Sequence, residues 1–169
     1  LDIMPTFYDF VPIPPSLCSK VDALLRAVPE KGWHPDGRPY VVGLDGQAAK
    51  MLNLGLVRFG TSTGLLLSPK TYDYAELLRT LPEVAALWPD ANMRYSTIAI
   101  MKNVISLRHR DRNLQPLFTA TFGEFAGGRL GCGEALYDTK NKLYLTNSRR
   151  EHFTEPFTCE SPNRRYLAQ

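Results

Sequence analysis

From about residue 94 to its end the chain is a succession of short apolar segments parted by turn residues, and this punctuation limits the fold more than any other feature. The segments lie at about 94–101, 103–109, 116–123, 128–131, 142–146, 152–158 and 164–168. Each is long enough for a strand and too short for a stable helix. Thirteen prolines and twelve glycines supply the breaks, which suits a β-rich core better than a helix bundle.

The first half reads differently. The opening dozen residues, with Pro5, Pro12, Pro14 and Pro15, form an extended arm packing through Phe7, Tyr8 and Phe10. Pro15 and Ser16 then start a helix whose apolar face is Val21, Leu24, Leu25 and Val28. Glu30 to Arg38 is a loop turning at Asp36-Gly37, and Pro39 to Leu44 is a short strand. Gln47 to Leu54 reads as a second short helix. Leu56 to Phe59 and Gly64 to Leu67 are apolar segments split by a Gly/Ser/Thr loop. Tyr72 to Leu87 has helical spacing, broken at Pro82. Helices followed by a run of strands imply an α+β chain with a sandwich or jelly roll packed on helices. The 169 residues fit one domain: about 1–92 as a helical support region and about 93–169 as the β core.

Composition narrows the function classes. A net charge of +3 permits a polyanionic partner without demanding one. Cys18, Cys132 and Cys159 are few, odd in number and without CxxC spacing, against both a disulfide framework and a zinc cluster. No apolar run approaches the roughly 20 residues of a membrane span, and no signal peptide is seen. The expectation is a soluble intracellular protein, nuclear in a eukaryote and monomeric. The abrupt opening at Leu1 reads as an excised domain.

The chemistry concentrates in NVISLRHRDRNLQPLFTATFGEFAGGRL, Asn103 to Leu130. His109 and Asp111, two apart on a strand, point to one face. Of the other two histidines, His34 lies in a turn-rich WHPDG segment and His152 opens the later segment HFTEPF. Two imidazoles and a carboxylate make the facial triad of non-haem Fe(II) oxygenases. Arg164-Arg165 follow in the last strand, where alternation lets one of the two point inward. Gly127-Gly128 read as a tight or positive-φ turn. No Ser/His/Asp or Cys/His arrangement competes.

On these motifs, over roughly residues 93–168, the chain resembles the Fe(II)/2-oxoglutarate oxygenase superfamily. The resemblance implies a double-stranded β-helix with the N-terminal helices packed on it. It makes His109, Asp111 and His152 the iron ligands and catalytic centre, with 2-oxoglutarate and O2 as cosubstrates. The residue binding the distal carboxylate of 2-oxoglutarate falls on Arg165, with Arg164 as rival, and Asn103 also reaches cosubstrate or target. Many relatives place a serine two residues beyond that arginine, and here the position is Leu167. The stretch Cys159 to Asn163 looks like a small insertion before it.

Within the superfamily, HRDRN followed by FGEFAGGRL, with ALYD…KLYLTNSRREHFTEPF, looks most like the TET/JBP branch. That implies oxidation of a methylated pyrimidine in DNA, most simply 5-methylcytosine to 5-hydroxymethylcytosine or further. Asn113 is then the nearest candidate to position the base. Arg108, Arg110 and Arg112, with Arg149, Arg150, Arg94 and Lys102, would meet phosphates around an extruded base. The competing readings are a hydroxylase of protein or small molecules and a degenerate domain that binds without turnover.

Overall fold

The computed structural model describes residues 7–58, 64–90, 94–113 and 115–169, with side chains from residue 10 onward. Phe7 and Tyr8 as packing groups, Pro5, Phe59, the loop at 60–63 and Asn92 lie outside the described side chains or residues.

In chain order the described residues form β1 (Phe7–Pro12), α1 (Pro15–Arg26), β2 (His34–Pro35), β3 (Val41–Gly43) and β4 (Lys50–Val57). Then come β5 (Leu66–Leu67), α2 (Lys70–Asp73), α3 (Ala75–Ala85), β6 (Thr97–Lys102) and β7 (Val104–Ser106). The last part contains β8 (Leu117–Gly123), β9 (Ala126–Gly127), β10 (Leu130–Cys132), β11 (Ala135–Tyr137) and β12 (Lys142–Thr146). It ends with β13 (Phe153–Thr154), β14 (Phe157–Thr158) and β15 (Arg165–Ala168).

The major sheet runs β1-β12-β8-β15-β6-β4-β2, with β5 beside β4, and its pairings are antiparallel. Alternation along its strands makes two faces. Leu52 and Leu54, Ile98 and Ile100, Ala120 and Phe122, and Tyr166 and Ala168 share a buried cluster with Val21 and Leu25 of α1 and Leu77, Leu81 and Val84 of α3. On the other face Met101 and Leu167 pack with Val41, Val104 and Leu130, carried by β3, β7 and β10. The short strands, paired as β3-β7, β11-β10-β13 and β14-β9, thus form a second layer. The architecture is mixed α and β, rich in sheet with few helices.

Helix α1 occupies the expected segment, its prolines at the N-terminal positions where a missing N–H costs nothing. Three expectations are overturned. The segment 47–54 is not a helix: Lys50 to Val57 is a long strand paired with β6 from Lys50↔Lys102 to Gly55↔Thr97. The helix-favouring run Ala48 to Leu52 yields because pairing on both sides buries Leu52 and Leu54 on one face. Second, the helix from 72 does not break at Pro82. The break is at Tyr74 (φ −122°, ψ 44°), and α3 runs through Pro82 because Leu77, Leu81 and Val84 anchor its buried stripe. Third, the extended arm ends as strand β1 against β12. With β2, β4 and β5 it puts strands of the major sheet into the region expected to be helical support, so residue 93 does not divide helices from strands.

Candidate metal centre

The segment expected as one strand from 103 to 109 leaves the sheet after Ser106. His109 nevertheless joins His152 in an isolated antiparallel bridge, each N–H donating to the other's carbonyl at 3.1 and 3.0 Å. Asp111 lies in coil, and its N–H donates to the Ser148 carbonyl at 2.9 Å. The shared face therefore comes from local cross-chain bonds rather than from a regular strand. The expected strand 152–158 is likewise split into β13 and β14 around Pro156.

The three side chains converge, and their ligand atoms lie within 4.8 Å of one another. Nε2 of His109 is 3.4 Å from Asp111 Oδ1, and Nε2 of His152 is 3.7 Å from Asp111 Oδ2. Each imidazole is tied back through its other nitrogen. Nδ1–H of His109 donates to the Leu107 carbonyl at 2.6 Å, and Nδ1–H of His152 to the Arg150 carbonyl at 2.7 Å. That bonding aims both Nε2 atoms at the carboxylate and fixes the tautomer a metal ligand needs. Burial pulls the His152 imidazole below its ordinary pKa, outweighing the Arg150 carbonyl and the Asp111 charge. Burial alone would raise the Asp111 carboxyl. The contact with the His109 ring and the positive charge of Arg38, with that of either imidazole when protonated, outweigh it and hold the group below the usual carboxylate range. Two imidazole nitrogens and a carboxylate oxygen suit a divalent first-row metal.

Arg165 is fully buried on the face that carries Leu167. Its guanidinium donates to the Gly128 carbonyl at 2.7 Å and the Val104 carbonyl at 3.5 Å, and lies over the rings of Phe125 and Phe157 at 5.5 and 5.2 Å. Its Nε–H is buried without an acceptor, and no described carboxylate pairs with it. Burial pushes its pKa down to about 10. A buried cation without a counter-charge is costly, and a carboxylate entering here would relieve that cost. Gly128 makes the room: at φ +70°, a Cβ there would stand 2.7 Å from Arg165 Nε.

The remaining sequence candidates scatter. Arg164 faces the opposite side and lines a separate cleft with Lys50 and Lys102. Asn103 is a turn residue at φ +52° whose Oδ1 accepts the Arg165 N–H at 2.8 Å, so it braces the backbone of the buried arginine. Asn113 is exposed and donates through Nδ2 to Ser148 Oγ at 2.9 Å. Arg110 and Arg112 are exposed, and Arg150 is half-buried. Arg108 stacks on Phe153 at 4.1 Å and pairs with Glu151 at 3.6 Å, tying the two histidine segments together. Lys102 and Arg94 lie apart from the metal centre. Lys102 sits over Trp33, and Arg94 lines an apolar pocket beside α3.

Sequence reasoning missed the segment Asp36 to Tyr40. The Tyr40 ring stacks on His109 at 4.0 Å between centroids and 16° between planes. Arg38 lies over Tyr40, clasps Asp36 bidentately through Nε–H and Nη2–H, and carries the charge felt by Asp111. The pairing of β3 with β7 brings Tyr40 here, its carbonyl accepting the Leu107 N–H at 2.8 Å. No local pattern in the sequence announces a pairing between segments so far apart.

No protein-family model matches the chain, and no curated protein sequence is significantly similar to it. Solved structures do share its fold. An oxidoreductase of the 2OG-Fe(II) oxygenase family from Burkholderia pseudomallei superposes with a TM-score of 0.56 at 15% identity, covering 94% of this chain and 83% of that one. NgTET1 in complex with 5mC DNA gives 0.54 at 13% identity, over 94% and 69%. A Pseudomonas putida prolyl-4-hydroxylase gives 0.50 at 13% identity, over 99% and 92%. At these identities the likeness is one of fold.

Proposed function

We propose that the chain is an Fe(II)- and 2-oxoglutarate-dependent dioxygenase whose metal is held by His109, Asp111 and His152. The observation that carries this reading is the convergence of those three groups with both imidazoles tied back through Nδ1. The 2OG-Fe(II) oxygenase family neighbour adds the fold. The buried Arg165, lacking a counter-charge and with an orphaned Nε–H, fits the distal carboxylate of 2-oxoglutarate. With Fe(II) and 2-oxoglutarate bound, the site supplies oxidation of a substrate C–H bond by O2, with succinate and carbon dioxide as co-products. The protein's own part is positional: the His109–His152 bridge and the Asp111–Ser148 bond hold the donors rigid, and Tyr40 covers one imidazole face. Leu167 packs in the apolar cluster, so no hydroxyl from that position reaches the cosubstrate.

The substrate we propose is a methylated pyrimidine in DNA, 5-methylcytosine oxidised to 5-hydroxymethylcytosine or further. Likeness to NgTET1 in complex with 5mC DNA supports it, as do exposed Arg110 and Arg112 flanking Asp111 and Arg149-Arg150 just before His152. Asn113, bonded through Nδ2, keeps its amide oxygen for a base amino group. A second reading, hydroxylation of a protein, is favoured by likeness to the prolyl-4-hydroxylase.

The test is anaerobic titration with Fe(II) and 2-oxoglutarate, followed by visible absorption, on wild type and Asp111→Ala. A charge-transfer band in wild type that the substitution abolishes is the expected result. Absence of a band in both would leave only a binding domain. Succinate release is then compared between 5-methylcytosine DNA and a proline peptide. Turnover on DNA that falls steeply with salt supports the DNA reading, and turnover on the peptide alone overturns it.

A further inference from the structure

On the helix-facing side of the major sheet, away from Arg165 and Leu167, three cations line one cleft of about 490 Å³. Lys50 extends the row of Leu52 and Leu54 on β4, and Lys102 the row of Ile98 and Ile100 on β6. Arg164 precedes β15 on the side of Tyr166. Lys50 and Lys102 are direct cross-strand partners, an arrangement of like charges that destabilises a sheet unless something offsets it.

The offset is slight. Glu30 reaches Lys102 at 2.7 Å and Lys50 at 3.8 Å, yet its side chain is 72% exposed. Asp45, the other acid on the wall, is exposed and makes no ion pair among the described residues. Lys102 is the buried member, 11% exposed with its ammonium over the Trp33 ring at 5.0 Å. Arg164 is held by a 2.6 Å bond to the Asn163 carbonyl, with the rest of its fork free for a ligand. Ser161 adds a hydroxyl to the same wall.

We propose that this cleft binds a phosphate group, and that the Glu30 carboxylate occupies the ligand's place until a phosphate displaces it. Two lysines act as point charges and Arg164 as a planar fork, a combination matched to a dianion with several acceptor oxygens. The cleft volume lies in the range of small-molecule sites, so the phosphate belongs to a nucleotide or to a nucleic-acid strand rather than being a bare ion. The inference is independent of the oxygenase reading, because Lys102 and Arg164 sit on the opposite face from Met101 and Arg165.

The test is calorimetric titration at constant ionic strength, with chloride as the control anion. The ligands are inorganic phosphate, AMP, and a five-nucleotide strand without terminal phosphates. The proteins are wild type, Glu30→Gln, and the double variant Lys50→Gln/Arg164→Gln, which leaves Lys102 packed on Trp33. Wild type is expected to bind AMP or the strand, the double variant to bind at least about tenfold more weakly, and Glu30→Gln about tenfold more tightly, as removing one opposing charge implies. The gain in Glu30→Gln separates a displaceable occupant from a mere brace and does not depend on the double variant folding well. AMP binding identifies a free phosphate monoester, and binding of the strand alone identifies a nucleic-acid backbone. No phosphate-specific binding, undiminished binding in the double variant, or no gain in Glu30→Gln would each overturn the proposal.

Discussion

Replacing Arg165 by Met separates a structural cation from one that awaits a ligand. Burial pushes the Arg165 pKa down from its ordinary value to about 10, which corresponds to roughly 3 kcal/mol against the charged form. Because the folded value is depressed, that cost applies wherever the guanidinium is charged, at every pH below about 10. Methionine keeps an apolar stem between Phe125 and Phe157 and removes the cost. It also strands the Gly128 carbonyl, whose 2.7 Å bond is lost, at about 1–3 kcal/mol. The two effects nearly cancel, so urea denaturation followed through Trp33 and Trp88 should place the ligand-free variant within about 2 kcal/mol of wild type. With 2-oxoglutarate the balance changes. Truncating one partner of a buried charge pair costs about 2–5 kcal/mol, so cosubstrate affinity should fall at least about 30-fold. The measurement is the thermal shift produced by 2-oxoglutarate with Fe(II) under anaerobic conditions. A ligand-free variant destabilised by well over about 3 kcal/mol that still showed the full thermal shift would refute the reasoning and make Arg165 part of the core.

Gly128→Ala should cost about 2–4 kcal/mol in urea denaturation, because φ is +70° and the new methyl would meet Arg165 Nε and Phe157 Cβ at 2.7 and 3.1 Å. Tyr40→Leu, which removes the ring stacked on His109, should weaken Fe(II) binding about tenfold while Tyr40→Phe preserves it, as read by metal titration. Asp36 supplies a pH dependence. Its burial would raise the carboxyl, but the hydrogen bonds and charge of Arg38 prevail and hold the pKa below the ordinary value. A depressed carboxyl contributes stability that is fully present above its unfolded pKa of about 3.9 and lost as pH falls through the lower folded value. Acid denaturation of wild type should therefore show a stability loss below about pH 4 that Asp36→Asn lacks.

The legible parts of this chain are those whose cause is local. Helix α1 follows from an apolar face behind two prolines, and β8 and β12 from apolar runs between turns. The His109-x-Asp111 motif marks two of the three converging side chains, although cross-chain bonds and not a strand hold them together, and the glycine pair announces its positive φ. What the sequence could not determine is whatever depends on a partner far along the chain. The segment Lys50 to Leu54 carries helix-favouring residues and becomes a strand because β6 and β2 pair with it. Which of Arg164 and Arg165 is buried depends on which face of β15 meets the helices: Tyr166 packs beside Trp33, and Arg165 is buried on the other side. Tyr40 reaches His109 only through the β3-β7 pairing, and Lys50 opposes Lys102 only through the register of β4 on β6. Periodicity and turn chemistry act over a few residues and are written in order along the chain. Registry between distant strands is chosen by which faces can be buried together, and that is decided only when the whole sheet closes on its helices.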